Sequence, residues 1–332
     1  MLCLLVAVPV MLCVVGALAA PATAVGKIQT VCGPIDPAEL GPALTHEHIL
    51  VDFIGADSVS PDRYDPEEVY EVMLPYVEAL REAGIRALFE CTPNYLGRDP
   101  VLLRRLSQAT GIHIITNTGL YKDRYLPAWA KELPAEEIAR RWIEEAVEGI
   151  GPERIKPGFI KIAANEGDLN EIQRKILHAA ALTSRATGLV IASHTTQGAT
   201  ALQQLDFLQD LGVPASRFIW VHADAEPDPT LHYAAARRGA WLSYDGIRPA
   251  SAADRLPLVM ETLRRFPDRL LISQDAGWYN VGQPRGGQVT SFDWLPRAFI
   301  PMLVAAGVSA EGVNRLLVQN PAAAFTIRAA DE

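Results

Sequence analysis

The amino-acid sequence predicts a (β/α)8 barrel, and three observations lead to that prediction. The chain has 332 residues, of which 49% are hydrophobic, so it can bury the core of one large α/β barrel or of two ordinary domains. Apolar runs of strand length alternate with amphipathic stretches of helix length, and eight such strands can be counted. Near-continuous apolar strands separated by helices indicate a parallel sheet, and a count of eight favours closure into a barrel.

The strands are predicted from short apolar runs, and the helices from apolar residues that recur three and four positions apart. In chain order, the candidate strands are Ala43–Thr45, Ile85–Cys91, Ile112–Thr118, Gly158–Ala163, Leu189–Ser193, Phe218–Val221, Ala240–Tyr244 and Leu270–Ser273. The candidate helices between them are Pro66–Ala83, Pro100–Ala109, Ala135–Glu148, Glu171–Ala186, Ala199–Leu211, Thr230–Arg238 and Ala252–Phe266. The stretch after the eighth strand would supply the last helix. Four glycines stand where helices are expected to end and turn back into the barrel floor: Gly84, Gly111, Gly188 and Gly239.

Composition and motifs limit the domain count and the partners. No linker rich in Ser and Pro divides the chain, so we predict one domain over residues 27–330. The glycine-rich fingerprints GxGxxG and GxxxxGK[ST], which cradle phosphates in nucleotide-binding α/β folds, do not occur where such folds need them. The 30 basic and 39 acidic residues give a net charge of −9, whereas a nucleic-acid-binding surface needs the opposite balance. We therefore expect no nucleic-acid partner.

The N-terminal segment resembles a secretory signal peptide. Residues 1–24 carry no charge and run from apolar to small residues, with A-x-A sites at Ala17–Ala19 and Ala22–Ala24. No basic residue lies near Met1, which leaves two alternatives, an uncleaved N-terminal anchor or an upstream start codon translated by mistake. We expect export to the periplasm or out of the cell, and a cytoplasmic protein if the segment is a start-site artefact.

Two cysteines remain once that segment is set aside. Cys3 and Cys13 lie within it, whereas Cys32 and Cys91 lie in the predicted domain. The remaining pair would form one disulfide in an oxidising compartment, but without a CxxC motif two buried free thiols are an equal alternative.

Histidines, a lysine and an aspartate recur at the ends of the predicted strands. In a barrel of this kind, reactive groups lie at the C-terminal ends of the strands. His46 and His48 are two residues apart, so the pleat directs both side chains to one face and Glu47 to the other. Imidazole nitrogens suit zinc, and a carboxylate adds a hard oxygen ligand. The residues at these strand ends are His46, His48, Lys161, His194, His222 and Asp275.

Lys161 lies between Ile160 and Ile162 in a strand that should be enclosed. Lysine is almost never buried without a partner. Burial would lower its pKa and leave a neutral amine, which can form a Schiff base or add CO2 to become a carbamate. The alternative is a lysine whose head reaches the solvent at the barrel rim.

Together these residues resemble the phosphotriesterase family of the amidohydrolase superfamily, phosphotriesterase-like lactonases included. The resemblance covers the chain from Ile28 onward. Members of that family are barrels that hold two divalent metal ions bridged by a carbamylated lysine and a hydroxide. The resemblance therefore implies a (β/α)8 barrel with a binuclear metal site at the C-terminal face of the strands. The segments that carry it are Gln29–Ile35, Leu44–His48, Gly97–Asp99, Asn117–Tyr121 and Phe159–Ala163, beside the strand-end residues.

The resemblance also implies a role for each site residue. His46, His48 and Asp275 would hold the more buried ion, His194 and His222 the more exposed one, and the carbamate of Lys161 would bridge them. Asp275 would accept the proton of the hydroxide, and Tyr121 matches a tyrosine that lactonase-type members place beside the metals. The implied catalytic residues are thus Asp275, Lys161 and Tyr121. Zinc is the expected ion, with Co2+, Mn2+ or Fe2+ as alternatives.

Two positions depart from the family pattern. Phosphotriesterases carry a carboxylate three residues after the sixth-strand histidine, where this chain has Ala225, although Asp224, Glu226 and Asp228 lie close by. Related lactonases have Asp followed by Arg after the seventh strand, where this chain has Asp245 followed by Gly246. The proton relay and the cation that contacts the substrate are therefore left open.

The predicted function is metal-dependent hydrolysis of a small neutral lactone, ester or phosphotriester. No cluster of Arg or Lys follows a strand end to bind a dianion, which favours neutral substrates. Residues 276–294, rich in Gly, Trp and Tyr, read as an aromatic lid or a disordered loop. Two other functions stay open, a Schiff-base lyase that uses Lys161 and an exported, non-catalytic metal- or ligand-binding protein. A homodimer is also an open expectation.

Overall fold

The structure is a computed structural model that describes residues 24–329. The signal peptide or anchor predicted over residues 1–24 therefore lies outside the described residues, apart from Ala24. We number only the elements of the barrel. The strands are β1 (Ala43–Val51), β2 (Ala87–Glu90), β3 (His113–Ile115, continued by Asn117–Thr118), β4 (Phe159–Ala163), β5 (Ile191–His194), β6 (Phe218–Val221), β7 (Trp241–Tyr244) and β8 (Leu270–Ile272).

The eight strands close into the predicted parallel barrel. From β1 to β8, each strand pairs in parallel with the next one along the chain. At Thr116, β3 passes from its pairing with β2 to its pairing with β4. After β8 the chain continues into a short strand, Gly277–Asn280, which pairs in parallel with β1. The amide of Asp275 also donates to the carbonyl of His46, which completes the seam between the last strand and the first.

The helices fill the intervals between the strands as the apolar periodicity predicts. A short helix, Ala128–Glu132, precedes the third barrel helix, and three consecutive helical segments lie near the C-terminal end of the described residues. Those segments are Ala310–Asn314, Arg315–Gln319 and Asn320–Phe325. The barrel helices are α1 (Pro66–Glu82), α2 (Pro100–Thr110), α3 (Ala135–Glu148), α4 (Glu171–Thr187), α5 (Gly198–Asp210), α6 (Pro229–Arg238), α7 (Ala252–Arg265) and α8 (Leu295–Phe299, continued by Ile300–Ala305).

Local capping explains where several of these helices begin and end. The Asp99 side chain accepts from the amides of Val101 and Leu102 at the start of α2, which satisfies two of the otherwise unpaired donors of a helix N-terminus. Asn170 and Gln173 form a capping box at the start of α4. Three of the four glycines predicted to end helices adopt the left-handed conformation directly after α2, α4 and α6: Gly111, Gly188 and Gly239.

Two apolar layers alternate along the strands. In β2, Leu88 packs into the outer layer beneath the helices, whereas Ala87 and Phe89 pack into the inner layer that fills the barrel. The C-terminal helix closes the floor of this interior, because the ring centre of Phe325 lies 3.9 Å from that of Phe89 and 5.5 Å from that of Phe159. Apolar side chains thus fill the lower part of the barrel and leave its upper end to polar residues.

A β-bulge in β1 decides which side chains of that strand point into the barrel. Ala43 and Leu44 pair with Ala87 and Leu88, but Glu47 pairs with Glu90, so β1 contains one extra residue between Leu44 and Glu47. Ala43 faces the interior, and strict alternation would place Glu47 there as well. The extra residue reverses the phase, so His46 and His48 face the interior instead.

No helix within residues 24–329 is long and apolar enough to cross a membrane.

Candidate metal centre

All seven predicted site residues line one small cavity at the C-terminal end of the barrel. The cavity has a volume of about 50 Å³, which is room for metal ions and a water molecule or two. Its side chains come from strands far apart in the sequence, so the closure of the barrel brings them together. The predicted residues that line it are His46, His48, Tyr121, Lys161, His194, His222 and Asp275.

His46, His48 and Asp275 form one half of the candidate centre. Their ligand atoms all lie within 4.8 Å of one another. Oδ1 of Asp275 lies 3.1 Å from Nε2 of His48 and 3.7 Å from Nε2 of His46. Nδ1 of His48 lies 2.8 Å from the hydroxyl of Thr92. Three potential ligand atoms therefore converge on one point, as a metal ion requires.

His194 and His222 form the other half. Their ring centres are 4.3 Å apart, and the hydroxyl of Tyr121 lies 3.0 Å from Nδ1 of His194. Nε2 of His194 is buried and has no hydrogen-bond partner among the described residues. A buried, unpaired polar atom is costly, and an ion held in the cavity would satisfy this one.

Lys161 lies on β4 with only 1% of its surface exposed. This burial excludes the alternative of a lysine whose head reaches the solvent at the rim. Burial lowers the pKa of Lys161, because the charged ammonium loses its hydration. Burial therefore favours the neutral amine of this side chain over the charged ammonium.

The carboxylate of Asp245, at the end of β7, contacts histidines of both halves. It lies 3.0 Å from Nδ1 of His46 and 2.5 Å from Nδ1 of His222. Burial lowers the pKa of His46 to about 4, against the opposing effect of Asp245. Burial would likewise lower the pKa of His222, but the Asp245 carboxylate outweighs it and raises that pKa.

These contacts leave two hydrogen-bond acceptors facing each other in the cavity. A neutral His46 that donates from Nδ1 to Asp245 has a lone pair on Nε2, and that atom faces Oδ1 of Asp275 at 3.7 Å. A bound cation would turn this repulsion into two coordinate bonds. The donor set therefore fits a divalent metal ion.

Asp275 is held in place from two sides. Glu47, which points away from the cavity as predicted, accepts from the Ser273 hydroxyl and from the amides of Gln274 and Ala276. Burial raises the pKa of Glu47 to about 8, although these donors oppose the shift. From the outside, Arg248 donates to the carboxylate of Asp275 at 3.0 Å and to its carbonyl at 2.8 Å.

The carboxylates that follow His222 do not reach the cavity. Asp224 accepts from the amides of Asp245 and Gly246 and pairs with Arg255 at 2.7 Å. The two further acidic residues, Glu226 and Asp228, bind backbone amides near α5 and at the start of α6. None of these three carboxylates therefore substitutes in the cavity for the one that phosphotriesterases carry at the position of Ala225.

The motif Gly97-Arg98-Asp99, part of the resemblance, has a structural role. Arg98 forms a two-pronged ion pair with Glu145 at 2.7 and 2.8 Å and donates to the carbonyl of Asn117. Asp99 caps α2. These contacts tie helices to the strand that ends beside Tyr121.

Aromatic side chains cover the cavity. Phe53 stacks on Trp278 with ring centres 5.6 Å apart and an angle of 19° between the rings. Trp278 lies 4.7 Å from the ring of His48, and Phe53 also contacts Tyr121 and Tyr125. The segment predicted as a lid or a disordered loop thus begins with an ordered strand that carries Trp278 over the metal centre.

Sequence reasoning missed three of these contacts. Arg248 lies in the stretch before α7, where nothing in the sequence links it to Asp275. Thr92 lies two residues after the end of β2, and strand-end position is a signal that would have found it. Phe53 follows the strand of His46 and His48 by two residues and looks there like ordinary core.

A closed barrel that presents four imidazoles, a buried lysine and a carboxylate to one cavity defines a metal-dependent hydrolase. The sequence pattern described as "Phosphotriesterase family" matches residues 26–325. The chain belongs to the phosphotriesterase family, as the resemblance predicted.

Relatives along almost the whole chain bear several names. The chain is 29% identical to the phosphotriesterase homology protein of Escherichia coli, over 86% of this chain and 98% of that protein. It is 24% identical to an N-acetyltaurine hydrolase of Xenopus tropicalis, over 89% of this chain and 97% of that protein. It is 25% identical to an aryldialkylphosphatase of Saccharolobus solfataricus, over 88% of this chain and 97% of that protein.

Proposed function

We propose that this protein is a binuclear metal hydrolase in which a carbamate of Lys161 bridges two divalent ions, most simply zinc. The observation that carries the proposal is the convergence of six potential ligand residues on one cavity, in which Nε2 of His194 is buried without a partner. Four imidazoles, a carboxylate and a carbamate exceed what one tetrahedral zinc ion uses. The neutral amine favoured by burial of Lys161 is the form that adds CO2.

The side chains of the cavity have separate tasks in this proposal. When bound, the two ions lower the pKa of water into the neutral range and polarise the bond under attack. Asp275 accepts the proton that the attacking water gives up. Arg248 holds the carboxylate of Asp275 directly, and Glu47 fixes the backbone on either side of Asp275 by its bonds to Gln274 and Ala276. Tyr121 orients His194 through the 3.0 Å contact with Nδ1.

The proposed substrate is a small neutral lactone, carboxylic ester or phosphotriester. The small cavity and its aromatic cover of Phe53 and Trp278 favour an uncharged group beside the metals. Relatives named N-acetyltaurine hydrolase and aryldialkylphosphatase add an amide and a phosphotriester to the bonds worth testing.

A substrate screen tests this function. The zinc-loaded protein is assayed against lactones, aryl esters, phosphotriesters and N-acyl amines, and its metal content is measured by elemental analysis. We expect about two ions per chain and turnover of at least one substrate class. Asp275→Ala should abolish nearly all turnover in a folded protein. An equally active Asp275→Ala variant, or a single ion in active protein, would contradict the proposal.

Replacement of Lys161 separates the hydrolase from the two alternative functions. We expect Lys161→Ala to lose metal and activity together, and propionate to restore part of both by occupying the position of the carbamate. Rescue by an added amine, or borohydride trapping of a carbonyl substrate on the wild type, would instead favour a Schiff-base lyase. Metal that stays bound without any turnover by the wild type would favour a non-catalytic binding protein.

A further inference from the structure

One carboxylate, that of Asp245, lies between the two halves of the metal centre. Its Oδ2 atom lies 3.0 Å from Nδ1 of His46, and its Oδ1 atom lies 2.5 Å from Nδ1 of His222. His46 belongs to the half with His48 and Asp275, whereas His222 belongs to the half with His194. The side chain of Asp245 is 0% exposed, so no solvent competes for these contacts.

The two oxygens of Asp245 have different surroundings. Oδ2 also accepts from the backbone amide of His222 at 3.2 Å and from the hydroxyl of Ser243 at 2.9 Å. Oδ1 has a single partner among the described residues, Nδ1 of His222. The Oδ2 position therefore requires an acceptor, because a backbone amide only donates. The Oδ1 position is free of that requirement.

An ionised carboxylate accepts hydrogen bonds and cannot donate them. Because Asp245 faces Nδ1 of both histidines, both must carry their proton on Nδ1. Each Nε2 atom is then left with a lone pair, as a metal ligand requires. One side chain thus prepares a ligand in each half of the centre.

We propose that Asp245 is a positioning residue that sets the tautomer of His46 and of His222 and thereby couples the two metal sites. The coupling rests on the two-metal centre of the proposed function, whereas the tautomers need no metal. A change at Asp245 should affect the two halves differently, because only Oδ2 must accept a hydrogen bond from a backbone amide.

The isosteric replacement Asp245→Asn makes that difference measurable. The amide oxygen must occupy the Oδ2 position, where it accepts from the His222 amide, Ser243 and His46. The amide nitrogen is then placed opposite Nδ1 of His222 and donates to it, which moves the imidazole proton to Nε2. A protonated Nε2 cannot bind a metal, so the variant should lose the ion held by His194 and His222 and keep the ion held by His46, His48 and Asp275.

The first experiment reads the tautomers in metal-free protein by two-bond 1H–15N correlation spectra at alkaline pH. We expect Nδ1–H at His46 and His222 in the wild type, and Nε2–H at His222 alone in Asp245→Asn. A wild-type spectrum with Nε2–H at either histidine would overturn the inference even if the variant failed to fold. An unchanged His222 in a folded variant would overturn it as well.

The second experiment titrates metal-free protein with Zn2+ by calorimetry. We expect two tightly bound ions in the wild type and one in Asp245→Asn, in which the site of His194 and His222 is weakened on the order of 100-fold. Adding His48→Ala to the variant should remove the remaining ion, whereas adding His194→Ala should not. Mn2+ resonance spectra should show a coupled pair in the wild type and an isolated ion in the variant. Two ions bound by Asp245→Asn with wild-type affinity would overturn the inference.

Ser243→Ala provides the matched control. It removes one donor to Oδ2 of Asp245 without touching either imidazole, so both tautomers and both ions should remain. If the wild type bound a single ion, the two-metal centre and the coupling would both fail. The tautomer spectra would then still decide whether Asp245 sets the two histidines.

Discussion

Three residues of the metal cavity hold a backbone conformation that is unfavourable for any residue with a side chain. The φ angle is 63° at His222, 52° at Asp275 and 72° at Trp278. Each such residue costs about 1–3 kcal/mol and persists only where surrounding contacts enforce it. Here the contacts are visible, because the His222 amide donates to Asp245 and the carbonyl of Asp275 accepts from Arg248 and from Nε1 of Trp278. The strain therefore lies at two proposed metal ligands and at the aromatic residue that covers them.

Arg248 should matter for catalysis although it does not line the cavity. Replacing it with Ala removes the donor to the carboxylate and carbonyl of Asp275, so the proposed proton acceptor loses its fixed orientation. We expect kcat to fall roughly 10- to 100-fold, with a smaller change in KM, in steady-state kinetics on a substrate found by the screen. Arg248→Lys should recover part of the loss. The exposed Arg237→Ala serves as control, and an Arg248→Ala enzyme as fast as this control would show that the contact is not needed.

At the scale of elements, the centre depends on how neighbouring strands fit together. The bulge in β1 sets the phase of His46 and His48, and the end of β3 packs against the backbone of β4 at Lys161. Gly119, directly after β3, has a φ angle of 125°, and a Cβ added there would meet the backbone of Lys161. The close approach of β3 and β4 therefore requires glycine at this position.

Gly119→Ala should weaken both the fold and the metal centre. The added methyl group would push β3 away from Lys161, and we expect the free energy of unfolding to fall by more than the roughly 1–3 kcal/mol that the positive φ angle alone costs. Less metal should bind, because Lys161, the proposed bridging residue, moves. Urea unfolding and elemental analysis measure these two effects. Gly33→Ala is the control, since Gly33 has a φ angle of 119° but no atom within 4 Å of the added Cβ. Equal losses in the two variants would show that packing against Lys161 is unimportant.

At the scale of the whole molecule, the proposed metal ligands come from β1, β4 and β5 and from the segments that follow β6 and β8. Bound metal would therefore hold together strands from both ends of the chain. An ion that binds the folded state alone stabilises it by about 4 kcal/mol at 1,000 times its Kd.

Removal of the metal should accordingly lower the thermal stability of the protein. For a chain of this size we expect chelation to reduce Tm by roughly 10 °C, measured by calorimetry with and without a chelator. His46→Ala, which lacks a ligand, should show a much smaller difference. A wild-type Tm that does not respond to chelation would argue against metal bound at this centre.

The sequence by itself determined the barrel and most of its centre. Eight apolar runs alternating with amphipathic stretches are a local pattern. It is visible in the sequence because a parallel strand buried on both faces must consist almost entirely of apolar residues. The positions of His194, His222 and Asp275 at strand ends follow from the same pattern. The pleat also placed His46 and His48 on one face, with Glu47 on the other.

The tertiary structure alone revealed the bulge that turns that face into the barrel, and it alone decided which side chains support the proposed ligands. The phase of β1 depends on a bulge that exists only through pairing with β2, so alternation counted along the chain from Ala43 gives the wrong face. The contacts of Asp245 with His46 and of Arg248 with Asp275 join separate strand ends, and no local pattern encodes such a pair. Cys32 and Cys91, which the sequence left either as a disulfide or as two buried free thiols, are both free in the fold, but Cys32 is exposed and only Cys91 is buried. Local periodicity is set by burial, whereas these contacts are set by closure of the barrel.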